Sequence, residues 1–251
     1  MTPSNKINRR EFLVKAGLTA GAATLMAAGV GSWALNEPPV ELAKQYENEV
    51  NMQKILVAYA SKCGSTAEIA ERVARILSEN GYAVTLSAVQ QVKDISPYQH
   101  VILGTALRFE KPLDEMTAFV KKYQAELQRP TVVCFSAGTY MRQDTPENRA
   151  KTLKFMQPLL DELSRPAMLV MFGGKVAYDK LSPFWRFLVS MDQSGLMAEG
   201  DGRNWPLIEA WAEELATGRA FRVAVNQDIV AFDAALTENA EVAIFPPVTG
   251  G

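Results

Sequence analysis

One segment, residues 54–77, constrains the fold more than any other part of the chain. It begins with an apolar run of strand length and continues into apolar residues at helical spacing, from Ile69 to Leu77. The loop between them supplies three hydroxyl groups, one cation and a glycine, in the order Ser61, Lys62, Cys63, Gly64, Ser65 and Thr66. Because a helix start carries unsatisfied N–H groups and the positive end of the helix dipole, this loop is suited to hold a phosphate.

A simpler interpretation is a strand-to-helix turn in which Ser65 or Thr66 only caps the helix. Capping needs one such residue, however, and this loop contains several. The chain has neither the GxxxxGK[ST] pattern of a nucleoside triphosphate loop nor the GxGxxG pattern of a dinucleotide site. The loop therefore favours a mononucleotide phosphate bound without magnesium.

The composition excludes several other classes of function. The net charge is −2 and the region after the N-terminal segment has no long basic tract, which argues against a nucleic-acid-binding protein. One histidine and two cysteines are too few for a zinc or iron–sulfur site. We expect no disulfide between Cys63 and Cys134, because their Cα atoms should lie more than roughly 7 Å apart. Cys134 is expected to be a core residue, and Cys63 either a loop filler or a reactive thiol.

Strands and helices alternate along the rest of the chain. Further strands are predicted at residues 82–89, 100–104, 131–136 and 167–172, and helices at residues 112–127, 146–163 and 205–215. This order predicts an α/β fold with a doubly wound, five-stranded parallel sheet. Ligands of such sheets bind at the carboxyl ends of the strands.

Two further loops follow the third and fourth predicted strands and should therefore lie beside the phosphate loop. In the first loop, residues 104–111, the charges of Arg108 and Lys111 would stabilise an anionic ligand, or they are ordinary surface charges. Phe109 in this loop and Tyr140 in the second, residues 136–142, are suited to stack on an aromatic ligand or to pack against the protein.

These motifs resemble the flavodoxin family over residues 53–216, and in particular the SKxGST loop of flavodoxin domains similar to menaquinone-dependent protoporphyrinogen dehydrogenase. The resemblance implies FMN as the cofactor, with its phosphate in the loop of residues 61–66. It also implies two sets of residues around the flavin ring: Thr105, Ala106, Leu107 and Arg108 in one loop, and Ser136, Ala137, Gly138, Thr139 and Tyr140 in the other. The function implied is electron transfer or quinone-linked oxidoreduction, with a redox protein or a quinone as partner. Protoporphyrinogen dehydrogenase-like oxidation is an alternative that the resemblance implies.

An additional segment, residues 175–203, precedes the closing helix. Apolar residues recur in it at helical spacing, namely Leu181, Phe184, Trp185, Leu188 and Val189. This aromatic face is interpreted either as a cover for the sheet or as a contact with a membrane surface or a quinone.

The N-terminal residues 1–35 resemble a twin-arginine export signal. Arg9 and Arg10 precede an uncharged, Gly- and Ala-rich run at residues 16–35. The resemblance implies the twin-arginine translocation machinery as a partner, and a periplasmic location or retention by an uncleaved signal segment. The alternative is a weak membrane anchor. Residues 36–52 are interpreted as a linker with one short helix.

The final segment, residues 217–251, resembles the C-terminal half of the small sulfur-carrier subunit of molybdopterin synthase, a β-grasp protein. Phe245, Pro246 and Pro247 precede a terminal Gly250 and Gly251. The resemblance implies that Gly251 is adenylated and converted to a thiocarboxylate. Because the first hairpin and main helix of that family are missing, a fused remnant is the alternative. An exported FMN-binding redox protein remains the main hypothesis, and a flavin-stabilised partner module is a further possibility.

Overall fold

The computed structural model describes residues 40–47, 53–163, 168–192 and 195–217, apart from the side chains at 183, 184 and 188. For residues 222–225, 228–231 and 242–243 it describes the backbone strands alone. The predicted export signal at residues 1–35 and the terminal residues 244–251, including Gly251, lie outside the described residues. So do the side chains of Phe184 and Leu188 in the predicted apolar face.

The secondary structure follows the predicted alternation. The strands up to residue 201 are β1 (Lys44–Tyr46), β2 (Lys54–Ala60), β3 (Ala83–Ala88), β4 (His100–Arg108), β5 (Lys111–Pro112), β6 (Thr131–Gly138), β7 (Met168–Gly173), β8 (Lys175–Val176) and β9 (Gly200–Asp201). The α-helices are α1 (Ser65–Glu79), α2 (Asp114–Lys122), α3 (Pro146–Glu162), α4 (Pro183–Ser190) and α5 (Trp205–Ala216).

Five parallel strands form the centre of the main sheet, in the order β3-β2-β4-β6-β7. The order reverses direction between β2 and β4, so the chain winds away from this point on both sides. The predicted doubly wound α/β fold is confirmed. The switch point also lies where the loops after β2 and β4 diverge.

Alternating side chains of the strands enter two separate cores. Ile55 and Val57 pack with α1 and α5 on one face of the sheet, whereas Leu56 and Ala58 pack with α2 and α3 on the other. Because β2 is buried on both faces, its sequence is a continuous apolar run rather than an alternating one. Burying each large aliphatic side chain contributes about 1.5–3 kcal/mol.

The linker differs from its prediction, because its described part contains the strand β1 and not a short helix. β1 pairs antiparallel with β3 and covers that edge of the sheet. The buried Tyr59 explains the difference: its hydroxyl donates to the carbonyl oxygen of Leu42 at 2.9 Å and accepts from the Leu42 N–H. The backbone N–H of Val40 also donates to the carbonyl oxygen of Ser61 at 3.1 Å. The linker thus docks against the phosphate loop.

Two boundaries near residues 104–111, hereafter the first ring loop, were also predicted wrongly. The third predicted strand extends to Arg108, because it continues into a hairpin with β5. The predicted helix of residues 112–127 is split, because Pro112 belongs to that hairpin and α2 begins only at Asp114. Residues 126–128 form a separate 3₁₀ turn.

The C-terminal segment contains a small antiparallel sheet. Its strands are β10 (Arg222–Val225), β11 (Asp228–Ala231) and β12 (Val242–Ala243), and β10 lies between the other two. The register pairs Val223 with Val230 and Val225 with Val242. A β-rich tail after the α/β domain was predicted and is present.

Candidate functional site

Three loops converge at the carboxyl edge of the sheet. The register aligns Ala60 at the end of β2 with Thr105 in β4, and Thr105 with Ser136 in β6. The loops that continue from these strands carry the predicted phosphate and ring residues. The structure therefore brings the three predicted parts of the site to one edge, as the parallel topology requires.

Gly64 shapes the phosphate loop. It is the residue before α1 and has a φ of 89°, a left-handed conformation that glycine adopts at little cost. Its N–H donates to the Ser61 hydroxyl at 3.2 Å, and its carbonyl oxygen accepts from Glu68 at 2.9 Å. Ser65 and Thr66 are the first two residues of the helix, so neither is its N-cap. The simple capping interpretation is therefore wrong.

The hydroxyl groups of this loop are arranged as donors. The Ser61 oxygen accepts from Gly64, and the Ser65 oxygen accepts from the backbone N–H of Lys175 at 3.0 Å, so each hydroxyl proton remains to be donated. The Thr66 hydroxyl is fully buried and has no hydrogen-bond partner among the described residues. A buried hydroxyl without a partner lowers the free energy of unfolding by about 1–3 kcal/mol. An anion at the N-terminus of α1 fits these donors.

Lys62 lies in the same loop but pairs with another element. Its ammonium group forms an ion pair with Glu115 in the first turn of α2. Both side chains are largely buried, with exposed fractions of 19% and 26%. Lys62 therefore ties the phosphate loop to the helix that follows the first ring loop, and its charge is already partly neutralised.

A second ion-pair cluster lies on the other side of the phosphate loop. The Arg203 guanidinium is 2.6 Å from a carboxylate oxygen of Glu68 and 2.6 Å from one of Asp201, and its side chain is only 3% exposed. It also lies 4.5 Å from the centre of the Trp205 ring. The hydrogen bond from Arg203 is the main cause that lowers the pKa of Asp201. Arg203 has no periodic or motif signal in the sequence.

The first ring loop is a tight β-hairpin. Leu107 pairs with Pro112 and Arg108 with Lys111, which leaves Phe109 and Glu110 as a two-residue turn. Both turn residues have positive φ, 52° and 61°, as a type I′ turn requires. Neither is a glycine, so the turn carries backbone strain of the kind found at binding sites.

The side chains of this hairpin have different partners. Thr105 is fully buried and its hydroxyl oxygen accepts from the Leu113 N–H at 3.3 Å, so this side chain fixes the loop. Arg108 lies 4.1 Å from the Trp185 ring centre. Phe109 packs against the same ring at 5.0 Å and is 64% exposed. The structure thus places Arg108 and Phe109 against α4, a contact that the sequence did not predict.

The second ring loop, residues 136–142, contains a buried hydroxyl group and packs closely against neighbouring backbone. Ser136 is fully buried, and its hydroxyl has no hydrogen-bond partner within the described part of the chain. The carbonyl oxygen of Gly138 accepts from Gly174 at 3.0 Å. A side chain at Gly138 would meet Leu107 at 3.3 Å, so the two ring loops are in contact. Ala137 is buried, and Thr139 is partly exposed.

Tyr140 begins a 3₁₀ turn and packs on Phe155 of α3, with ring centres 5.5 Å apart. Its hydroxyl donates to Glu110 at 3.4 Å, which links the two ring loops. Burial and then the nearby Glu110 carboxylate raise the pKa of Tyr140. Of its two predicted roles, packing against the protein is the one that these contacts describe.

The two cysteines form no disulfide, as predicted, and differ in their surroundings. Cys63 is partly exposed in the phosphate loop, whereas burial raises the pKa of Cys134 to about 12. Within the described residues, no group of three or more His, Cys, Asp or Glu side chains is placed to hold a metal ion. No helix in the same residues is long and apolar enough to cross a membrane.

Two family models match the chain. The Flavodoxin domain model matches residues 56–201, which is more than half of the chain. The ThiS family model matches residues 201–251. Both parts of the predicted resemblance are therefore confirmed, and the two matched regions meet just before α5.

Curated relatives divide the chain in the same way. Protoporphyrinogen IX dehydrogenase (quinone) of Escherichia coli is 24% identical over 174 residues, which cover 65% of this chain and 94% of that protein. The protein of the same name from Leishmania major is 24% identical over 165 residues, covering 63% and 70%. The molybdopterin synthase sulfur carrier subunit of Escherichia coli is 54% identical over 43 residues, 17% of this chain. The chain spans about half, 52%, of that subunit.

Solved structures similar to the chain include two flavodoxins. An oxidised flavodoxin from Bacillus cereus has a TM-score of 0.38 and 16% identity, covering 54% of this chain and 94% of its own. A two-electron reduced flavodoxin from Megasphaera elsdenii has a TM-score of 0.37 and 16% identity, covering 47% and 82%.

Proposed function

Because the chain belongs to the Flavodoxin domain family, we propose that it is a redox protein that binds FMN at the carboxyl edge of its sheet. The observation that carries the proposal is the buried Thr66 hydroxyl, which has no partner within the described residues and lies at the N-terminus of α1. A phosphate oxygen satisfies it. Ser61 and Ser65 hold the same phosphate through their hydroxyl protons, because their oxygens already accept from the backbone.

The two ring loops hold the flavin. FMN supplies electron or hydride exchange when bound. The backbone from Thr105 to Arg108 and the residues from Ser136 to Tyr140 form the walls on either side of the ring. Contact between Gly138 and Leu107 fixes the spacing of these walls. The guanidinium of Arg108, held against Trp185, adds positive charge near one wall and favours an anionic ligand.

A pair of isosteric substitutions tests the cofactor proposal. Thr66→Val removes the donor, so we expect the FMN dissociation constant to rise at least about tenfold, since a hydrogen bond to a charged group contributes about 1.5–3 kcal/mol. The apoprotein should be as stable as the wild type or more stable, because an unsatisfied buried hydroxyl is lost. Thr152→Val is the matched control, since the Thr152 hydroxyl in α3 is also buried and without a partner among the described residues.

The readout is flavin fluorescence quenching and the absorption spectrum of the full chain reconstituted with FMN. Thr152→Val should leave the affinity for FMN unchanged. A wild-type chain that stays colourless and does not bind FMN would contradict the proposal. Bound FMN that no donor can reduce would instead favour a flavin-stabilised partner module.

We further propose that the electron acceptor is a quinone, with a redox protein as the alternative. Two relatives carry the name protoporphyrinogen IX dehydrogenase (quinone), which supports the proposal. Phe109, Phe187 and Met191 are large apolar residues with exposed fractions of 62–64%. Together with the amphipathic pattern of residues 181–189, they support contact with a membrane surface. Turnover of menaquinone with a reduced donor tests the acceptor, and sedimentation with lipid vesicles tests the contact.

A second candidate function concerns the C-terminal region. The ThiS family match to residues 201–251 and the 54% identity to a sulfur carrier subunit favour sulfur carriage through Gly251. In that reaction the C-terminal carboxylate attacks the α-phosphorus of ATP and releases pyrophosphate, and hydrosulfide, a sulfide-level nucleophile, then displaces AMP to leave a thiocarboxylate. Incubation with an activating adenylyltransferase and ATP should form the acyl-adenylate. Deletion of Gly251 should abolish it, and absence of adenylation in the intact chain would contradict the proposal.

We also propose that the protein is exported through the twin-arginine route after it has folded around FMN. The paired Arg9 and Arg10 before a mildly apolar run support this. Replacing both arginines by lysines should retain the protein in the cytoplasm, as measured by cell fractionation. Export that is unaffected by this change would contradict the proposal.

A further inference from the structure

We propose that Arg203 makes the site selective for a phosphorylated flavin, because it neutralises the Glu68 carboxylate that would otherwise occupy the positive end of α1. This inference rests on the proposed FMN site. It assigns a positioning role to an ion pair that joins the phosphate loop to the segment after β9.

Glu68 lies where an anion would compete with a phosphate. It is in the first turn of α1, and its N–H donates to the Gly64 carbonyl oxygen at 2.9 Å. A Cβ atom built on Gly64 would lie 3.6 Å from a Glu68 carboxylate oxygen. Helical side chains point toward the N-terminus, so the carboxylate leans back over the phosphate loop. A carboxylate there interacts with the same helix dipole as a phosphate and repels it.

Arg203 is suited to remove this conflict. One guanidinium nitrogen donates to Glu68 at 2.6 Å. The two other nitrogens donate to Asp201 at 2.6 Å and 2.8 Å. Its side chain is 3% exposed and lies over Trp205, so water reaches the ion pair only from the side of Glu68, whose side chain is 45% exposed. The ammonium of Lys175 acts electrostatically on Asp201, which brings the cluster of two carboxylates and two cations to zero net charge. Glu68 therefore has a fixed cationic partner.

The same segment also positions a proposed phosphate donor. β8 and β9 pair with each other, and the backbone N–H of Lys175 in β8 binds the Ser65 hydroxyl. Gly173 and Gly202 approach so closely that a Cβ at Gly173 would lie 2.0 Å from the Gly202 carbonyl oxygen. Arg203 and Ser65 are thus held by one rigid connection. A purely structural role for Arg203 would act through Ser65 and would remain when the Glu68 charge is removed, whereas loss of charge neutralisation is reversed by removing that charge.

The test compares FMN with riboflavin, which has the same ring and no phosphate. Dissociation constants are measured for the full chain by fluorescence quenching in the wild type, Arg203→Gln, Glu68→Gln and the double variant. For Arg203→Gln we expect the FMN dissociation constant to rise about tenfold, from repulsion by a newly unpaired carboxylate, and that of riboflavin to change less than about twofold. The double variant should return to within about threefold of wild type for FMN, because the repelling charge is gone.

Arg72→Gln is the matched control. Arg72 pairs with Glu209 at 2.8 Å and also lies 5.9 Å from the Trp205 ring centre, but its pair joins the outer surfaces of α1 and α5. We expect it to leave the ratio of FMN to riboflavin affinity unchanged. Glu68→Gln alone should lower the dissociation constant of FMN and leave that of riboflavin unchanged. This variant still tests the inference if Arg203→Gln does not fold.

Three results would overturn the inference: equal losses of FMN and riboflavin affinity in Arg203→Gln, no recovery in the double variant, or unchanged FMN affinity in Glu68→Gln. The proposed function fails separately, because a wild-type chain that does not bind FMN contradicts the cofactor and not the charge argument. If the wild type binds FMN but Arg203→Gln changes the affinities for FMN and riboflavin equally, only the inference is contradicted.

Discussion

Lys175 donates its backbone N–H to the hydroxyl oxygen of Ser65 at 3.0 Å, although the two residues are 110 positions apart. The bond joins the first turn of α1 to the strand that follows β7. It leaves the Ser65 proton free to be donated and fixes the direction in which the hydroxyl points. The segment after the fifth parallel strand therefore contributes to the proposed phosphate site.

Ser65→Ala should weaken FMN binding. The variant loses a hydrogen bond to a charged group, so we expect the dissociation constant to rise about tenfold, which corresponds to roughly 1.4 kcal/mol. Ser190→Ala is the control, because the Ser190 hydroxyl donates to the Phe187 carbonyl at the end of α4. Titration of both apoproteins with FMN measures the effect, and equal affinities would contradict the assigned role of Ser65.

Gly104→Ala should destabilise the sheet. A Cβ at this position would lie 2.2 Å from the ring of Phe135, which is fully buried in β6. Such overpacking costs about 1–3 kcal/mol of the free energy of unfolding. Urea denaturation of the apoprotein measures it. Adding Phe135→Leu should recover part of the loss by making room, and a Gly104→Ala variant as stable as the wild type would show that Phe135 can move.

The two thiols should react at very different rates. Cys63 is partly exposed, whereas Cys134 is fully buried and its pKa is raised to about 12 by burial. We expect a thiol-specific disulfide reagent to modify Cys63 in the native chain and Cys134 only after unfolding. FMN should slow the modification of Cys63, because this residue lies in the phosphate loop. Cys63→Ser identifies the fast thiol, and FMN-independent labelling of Cys63 would contradict the proposed location of the phosphate.

His100 should make the protein less stable in weak acid. Burial lowers its pKa below the ordinary value of 6.5. As the pH falls below this value, the unfolded chain takes up a proton before the folded chain does, so the free energy of unfolding decreases until the pH has passed the lowered pKa. We expect the free energy of unfolding of His100→Gln to decrease less than that of the wild type between about pH 7.5 and pH 5, a range around the ordinary value. Denaturation curves measure it. Identical pH dependence in the two proteins would contradict this role.

The sequence predicted the parts of the fold that depend on local pattern. The strand-loop-helix segment around Gly64 could be identified because burial on both faces of β2 requires a continuous apolar run, and because the phosphate loop uses adjacent residues. The alternation of strands and helices then predicted a doubly wound parallel sheet, whose strand order the structure supplied. The grouping of the Ser61, Ser65 and Thr66 hydroxyls could be predicted because all three lie in one short loop.

Contacts between distant segments could not be predicted in this way. Arg203 contacts Glu68 across 135 positions, and Arg108 packs on Trp185. Neither pair has a periodic signal, because each depends on how the segment after β7 folds back. The strand β1 was missed because none of its three residues is buried and two of them, Lys44 and Gln45, are polar, so this sheet edge carries no apolar signal.

The docking of the linker moves the N-terminal boundary of the folded domain. The N–H of Val40 donates directly to the carbonyl oxygen of Ser61, and the carbonyl oxygen of Leu42 accepts from Tyr59 near the end of the strand that leads into the phosphate loop. Loss of Val40 and Leu42 would therefore free both the sheet edge and the loop. Residues 40–46, which lie inside the segment that sequence composition describes as a tether, thus act as part of the domain's own architecture.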